Sequence, residues 1–226
     1  MCDNMSVSNK QAKLEILERI EADTISTTES LSILESYAND EDSYIRSVAA
    51  KILIDFADME QGERLLRILI NDSDYLVRTE AADSLSCSNS MEVVDLLKKH
   101  AKTDKTGMVR GYAIVSLGDI AQRLGIQKDI SEFLTPLIHK ETVIFTQINL
   151  AEALYRLNND EKHLKKLLAY LDTRIYQNRC AVINSLSPLI GEHNKALIVG
   201  AVVLRKKVES VYAVLSAIDE FLLLHG

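Results

Sequence analysis

The 226-residue chain has no tryptophan, two prolines, eight glycines and three cysteines. So little proline and glycine leaves no material for long loops or Pro-rich linkers. Cys2, Cys87 and Cys180 are odd in number and far apart, without a CxxC pair. That excludes a disulfide framework and a zinc knuckle, and predicts free thiols in a reducing, cytoplasmic setting. No apolar run approaches the ~18 residues that a membrane span needs. The most apolar stretch is Ala196 to Leu204. Residues 1–9 are polar and lack a basic segment followed by an apolar one, so no secretory signal is expected. The five histidines, at 100, 139, 163, 193 and 225, show no HxxxH or HExxH spacing. No metal, cofactor or catalytic centre is therefore expected. Positive charge is also scarce, but only locally. Residues 1–113 carry 21 acidic against 13 basic side chains, and residues 114–226 carry 12 against 13. An acidic chain opposes the phosphate backbone, whose neutralisation supplies most nucleic-acid affinity, and it attracts basic partners.

What the chain does have is a repeat. Arg46, Ala49, Ala50 and Leu53 recur after 32 residues as Arg78, Ala81, Ala82 and Leu85, and after 32 more as Arg110, Ala113, Ile114 and Leu117. Gln147, Leu150, Ala151 and Leu154 follow after 37, then Arg179, Val182, Ile183 and Leu186 after 32, then Val211, Val214, Leu215 and Ile218 after 32. Offsets of 0, +3, +4 and +7 describe one helix face. A fixed period of this size marks a solenoid of stacked supersecondary units. Each unit reads as helix A, a tight turn and helix B. The turns Asn39–Asp42 and Asn71–Asp74 carry short side chains that accept from the free N–H groups opening helix B. The predicted fold is an all-α, right-handed α-solenoid of six helical pairs over residues 28–224. A capping helix over 10–21 and a disordered tail over 1–9 complete a single domain of 1–226. The 37-residue interval falls at Asp119–Asp129, where Gly125 ends a lengthened helix, and reads as a protrusion from one continuous stack.

The motif Asp-x-x-x-Arg-x-x-Ala-Ala, present as Asp42 to Ala50 and Asp74 to Ala82, resembles HEAT repeats, in particular their short, lyase-like type. The resemblance is strong over 28–118 and weaker over 128–224, where Gln147 and Val211 replace the arginine. It implies that Asp42, Asp74, Arg46, Arg78, Arg110 and Arg179 form a structural ladder between layers. It also implies a scaffold that binds proteins and rarely catalyses.

In such an array the B helices line a concave groove. Counted from the arginine, offsets +1, +5 and +8 or +9 point into it. On that count the groove carries Asp55, Asp83, Asp119, Glu152 and Asp219, with Tyr155 and Tyr212 as apolar anchors. The predicted function is non-catalytic binding of a basic protein, as an immunity protein masks a basic toxin. The competing reading is a HEAT-like alkylpurine DNA glycosylase with Asp119 as its carboxylate. Such enzymes depend on a basic concave surface and flanking tryptophans, neither of which this sequence has. The last helices, Ala196–Leu204 and the one ending Phe221–Leu224, are apolar on too many sides for a terminal repeat. They predict a homodimer or docking contact through the C-terminal repeat.

Overall fold

The computed structural model describes residues 2–226, with side chains from Asn9 onward. Thirteen α-helices and no strand occur among the described residues. They divide into two compact units, Met1–Gly125 and Ile126–Gly226. The division falls where the repeat interval lengthens: Gly125, at φ 74°, caps the long helix before it in the left-handed conformation that glycine adopts without strain.

In the first unit, α1 (Cys2–Glu21) precedes the pairs α2 (Thr27–Tyr37) with α3 (Ser43–Ile52), α4 (Glu60–Leu69) with α5 (Tyr75–Ser84), and α6 (Met91–Thr103) with α7 (Gly107–Leu124). The helix α1 starts well before Lys10, so its backbone includes most of the segment expected to be a disordered tail. The side chains of residues 1–8 lie outside the described residues. The alanines explain the close packing of α3, α5 and α7. Ala49, Ala50, Ala81, Ala82 and Ala113 are fully buried, as are Leu53, Leu85 and Leu117. Their small size lets Ser84 Oγ donate to the Ala50 carbonyl and Ser116 Oγ to the Ala82 carbonyl, both at 2.8 Å. Gly62 serves a similar end: a Cβ there would lie 2.0 Å from the Phe56 carbonyl oxygen, so only glycine lets α4 cross that turn.

In the second unit the pairs are α8 (Gln127–Leu134) with α9 (Ile144–Asn158), α10 (Glu161–Ala169) with α11 (Tyr176–Leu186), and α12 (Lys195–Lys206) with α13 (Tyr212–His225). Helix B is capped at Asp42, Asp74, Thr106, Val143, Ile175 and Val211 in the six pairs. The last interval is therefore 36 residues, not 32. Leu215, rather than Val211, stands at the arginine position of the sixth pair.

The ladder is present, but its acids differ from those expected. Arg46 Nε and Nη2 donate to both carboxylate oxygens of Asp72 at 2.7 and 2.9 Å, while Nη1 returns to the Asp40 and Glu41 carbonyls. Arg78 repeats this with Asp104 at 2.8 and 3.1 Å and with the Asp72 and Ser73 carbonyls. Arg110 Nη1 donates to the Asp104 carbonyl at 2.9 Å. In the second unit Arg179 grips Glu209 at 2.7 and 2.9 Å and donates to the Thr173 and Arg174 carbonyls. Each acid stands two residues before its helix cap and also accepts the cap's N–H. Asp42 and Asp74 are the caps themselves, holding the N–H groups of Tyr44 and Leu76. They are not arginine rungs: neither takes an arginine of a neighbouring pair, and Asp42 pairs instead with Lys10 of α1 at 2.7 Å. Lys13 plays the arginine's part at the start of the first unit, where it donates to Asp40 at 2.5 Å. Where the arginine is lost, so is the acid: Gln147 still donates to its own turn at the Glu141 carbonyl, and Thr173 occupies the acid's place on the next turn.

Burial alone raises the Asp72 and Asp104 carboxyls. The arginine hydrogen bonds and charge, with the N–H groups of Asp74 and Thr106, outweigh it and hold both below the usual range. The Arg179 hydrogen bonds pull Glu209 to about 2. Arg78→Ala should therefore destabilise the protein by about 3 kcal/mol, because it strands a buried carboxylate. Chemical denaturation measures this, and an unchanged midpoint would contradict the rung. Since the native pKa of Glu209 lies below its ordinary 4.5, its contribution is full above that pH and is lost as pH falls towards about 2. Thermal melts between those limits should show the loss, and Glu209→Gln should flatten that part of the profile.

Candidate interaction face

The residues picked out for a groove do not share one environment. Asp55 is exposed in the short turn after α3, and Asp83 and Asp119 are half-buried on α5 and α7. In the second unit Glu152 and Tyr155 are buried, each only 4% exposed. Glu152 takes Arg156 at 3.2 Å. The Tyr155 hydroxyl accepts from Asn194 Nδ2 at 2.7 Å and lies 3.3 Å from His193 Nε2. The amide of Asn194 also ties the Leu189 carbonyl and the Gly191 N–H. Tyr155 thus fastens the turn before α12 and is no surface anchor. Tyr212 is 84% exposed, and Asp219 pairs with Lys206 at 2.6 Å.

The offset itself needs correction. Positions at +1 are buried in the first unit: Ser47 and Thr79 turn back to the Tyr44 and Tyr75 carbonyls, and Gly111 is covered. The open stripe follows +2, +5 and +9, which are spaced by three and four residues and so share one helix face. This brings in Glu80 and Tyr112, which the sequence reading missed. Both sit at +2, where the partly exposed residues Val48 and Asn149 also stand.

On this stripe Glu80, Asp83, Tyr112 and Asp119 interact electrostatically. Burial, then the neighbouring Asp119, raises the Asp83 carboxyl. Burial, then Asp83, raises Glu80, with Lys51 opposing weakly. Burial and the same two acids push the Tyr112 hydroxyl up. Among the described residues neither Glu80 nor Asp83 holds a hydrogen bond or ion pair. The two acids are thus partly desolvated, close to one another and uncompensated. That arrangement favours an incoming cation and disfavours an anion.

No three described His, Cys, Asp or Glu side chains are grouped as a metal site requires. No helix among the described residues is long and apolar enough to cross a membrane.

Residues 30–118 match the family model for HEAT repeats. No curated protein matches the chain. The match covers the three pairs of the first unit almost end to end. In the second unit the B helices have Val143, Ile175 and Val211 at the N-cap, without a side-chain cap bond, and Arg179 with Glu209 makes the same kind of rung. HEAT repeats are helical scaffolds commonly used for protein interactions, and residues 30–118 of this chain carry that repeat.

Proposed function

We propose that the chain is a non-catalytic scaffold that binds a basic protein on the acidic stripe of α5 and α7. The observation that carries this reading is the uncompensated pair Glu80 and Asp83. Burial penalises the charge of both, neither holds an ion pair, and Lys51 opposes the penalty only on Glu80 and only weakly. A lysine or arginine from a partner would restore both to the ordinary carboxylate range and gain the interaction that the free protein lacks. The surrounding unit supports the same sign of partner. Residues 1–125 carry 22 acidic against 14 basic side chains, a field that accelerates encounter with a basic surface. A small basic toxin, such as a nuclease held inactive by an immunity protein, belongs to the partner class that fits. A glycosylase function gains nothing from this face, because Asp119 lies beside another acid and the field repels DNA. The homodimer expected from the C-terminal repeat rests on a different face and a different driving force.

Two measurements test the stripe. Asp83→Asn is expected to raise the melting temperature, because it removes a charge that the fold disfavours. By the same sign, wild-type stability should gain as pH falls through the raised Asp83 pKa towards the ordinary carboxylate value. A lower melting temperature for Asp83→Asn would show that the carboxylate is compensated after all. The binding test uses a basic protein captured by chemical cross-linking in cells and then purified. Its affinity should fall at least about tenfold for Glu80→Lys with Asp83→Lys, and more at ~50 mM than at ~300 mM salt, where screening is stronger. Asp95→Lys, half that charge change on the exposed side of α6, should leave it unaltered. Tight binding of duplex DNA, or equal loss with Asp95→Lys, would overturn the proposal.

A further inference from the structure

We propose that the end face of the last helical pair, α12 with α13, is a twofold contact between two copies of this chain. The face is identified by comparing equivalent positions. In two interior pairs, the residues ten and six before the acid position of the turn are both buried, Gly62 and Leu66 before Asp72, and His163 and Leu167 before Thr173; before Asp104 and Glu141 the first of the two, Val94 and Ser131, is buried. The corresponding residues before Glu209 are Val199 and Val203. Val199 is only half-buried and Val203 is 37% exposed. On α13, Leu215 stands at the arginine position and Leu222 seven beyond it, and both are partly open. Leu53, Leu85 and Leu117, which are equivalent to Leu222, are fully buried. Tyr212 at 84%, Leu223 at 88% and Val208 at 69% exposure border the same side.

Together these side chains leave more apolar surface open than the equivalent positions of the interior pairs do, and large patches of this kind mark contact sites. A stable interface takes about 800 Å² from each partner. The polar margin of Lys206, Asp219 and Ser216 adds to the apolar area.

The chemistry of the face selects its occupant. Another HEAT pair stacked in register would bring a carboxylate against the rung position, as Asp72, Asp104 and Glu209 are brought. Here that position holds Leu215, so the carboxylate would be buried without a cation. A basic partner gains nothing either, since Asp219 already holds Lys206 and Glu209 is held by Arg179 and Arg205. A second copy meets neither objection. An isologous contact sets this face against itself, so it must be self-complementary in charge. An apolar field around one internally neutral pair, Lys206 with Asp219, satisfies that condition. The two pairs can also exchange partners across the axis.

This contact is independent of the acidic stripe, and the two fail separately. Sedimentation equilibrium of the full chain between ~1 and ~200 µM should show a monomer–dimer transition or a stable dimer. Val203→Glu with Leu223→Glu places like charges on both sides of the twofold and should weaken the dimer by about tenfold or more. Both sites are exposed, so the variant should melt like the wild type, which circular dichroism checks. Leu204→Glu, on the opposite flank of α12, should leave the dimer intact. A wild-type monomer throughout the range, including one whose face instead takes a different protein, would overturn the proposal. So would a dimer indifferent to the double substitution, or one broken equally by Leu204→Glu.

Discussion

A guanidinium gripped by a carboxylate of the next turn is the interaction on which the rest of this structure depends. The carboxylate is already fixed by the N–H of its own helix cap, so it marks where helix B begins. The arginine from the preceding pair reaches that acid with two nitrogens and returns the third to the carbonyls of its own turn. One side chain thereby joins two turns and two helices. Such a buried pair is costly unless all its hydrogen bonds are made, and in Arg78 and Arg179 they are. The cost explains why the partners change together. Gln147 has no charge to neutralise, and the position that would answer it is Thr173, so neither is left buried as a lone ion.

The same residue type is used in two opposite ways. Asp72, Asp104 and Glu209 are held below the carboxylate range by arginine and stabilise the fold. Glu80 and Asp83 are pushed above it by burial and by their acidic neighbours, and weaken the fold. The turn acids that are buried are paired with a cation, whereas Glu80 and Asp83, partly buried on the B helices, hold no ion pair.

Much of this was legible in the chain. The 32-residue period gave the pairs, the arginines and the fold class, because it combines a helix face with a recurrent turn. The rung acids were misplaced by two residues, since Asp40 and Asp42 lie in one turn and spacing alone does not tell a cap from a ladder acid. The sixth pair was misaligned by four because a shift of four maps a helix face nearly onto itself: Val211 and Leu215 serve the pattern almost equally well. Glu209, two residues before the cap, is the signal that would have separated them. Tyr155 illustrates another limit. An aromatic with a polar tip suits a surface or an interior with a partner, and the partner here, Asn194, lies 39 residues away. The two-unit division was visible only as the 37-residue interval, which fits a loop in one body as well as a boundary between two.

The rung's weight is measured most directly by a double-mutant cycle on Arg78 and Asp104, with unfolding free energies of wild type, Arg78→Ala, Asp104→Ala and the double variant. If the pair holds neighbouring repeats together, the single losses will not add, and the coupling energy will be about 2 kcal/mol or more. Additive losses, with a coupling within ~0.5 kcal/mol of zero, would contradict it and leave the apolar helix faces as the sole support of the stack.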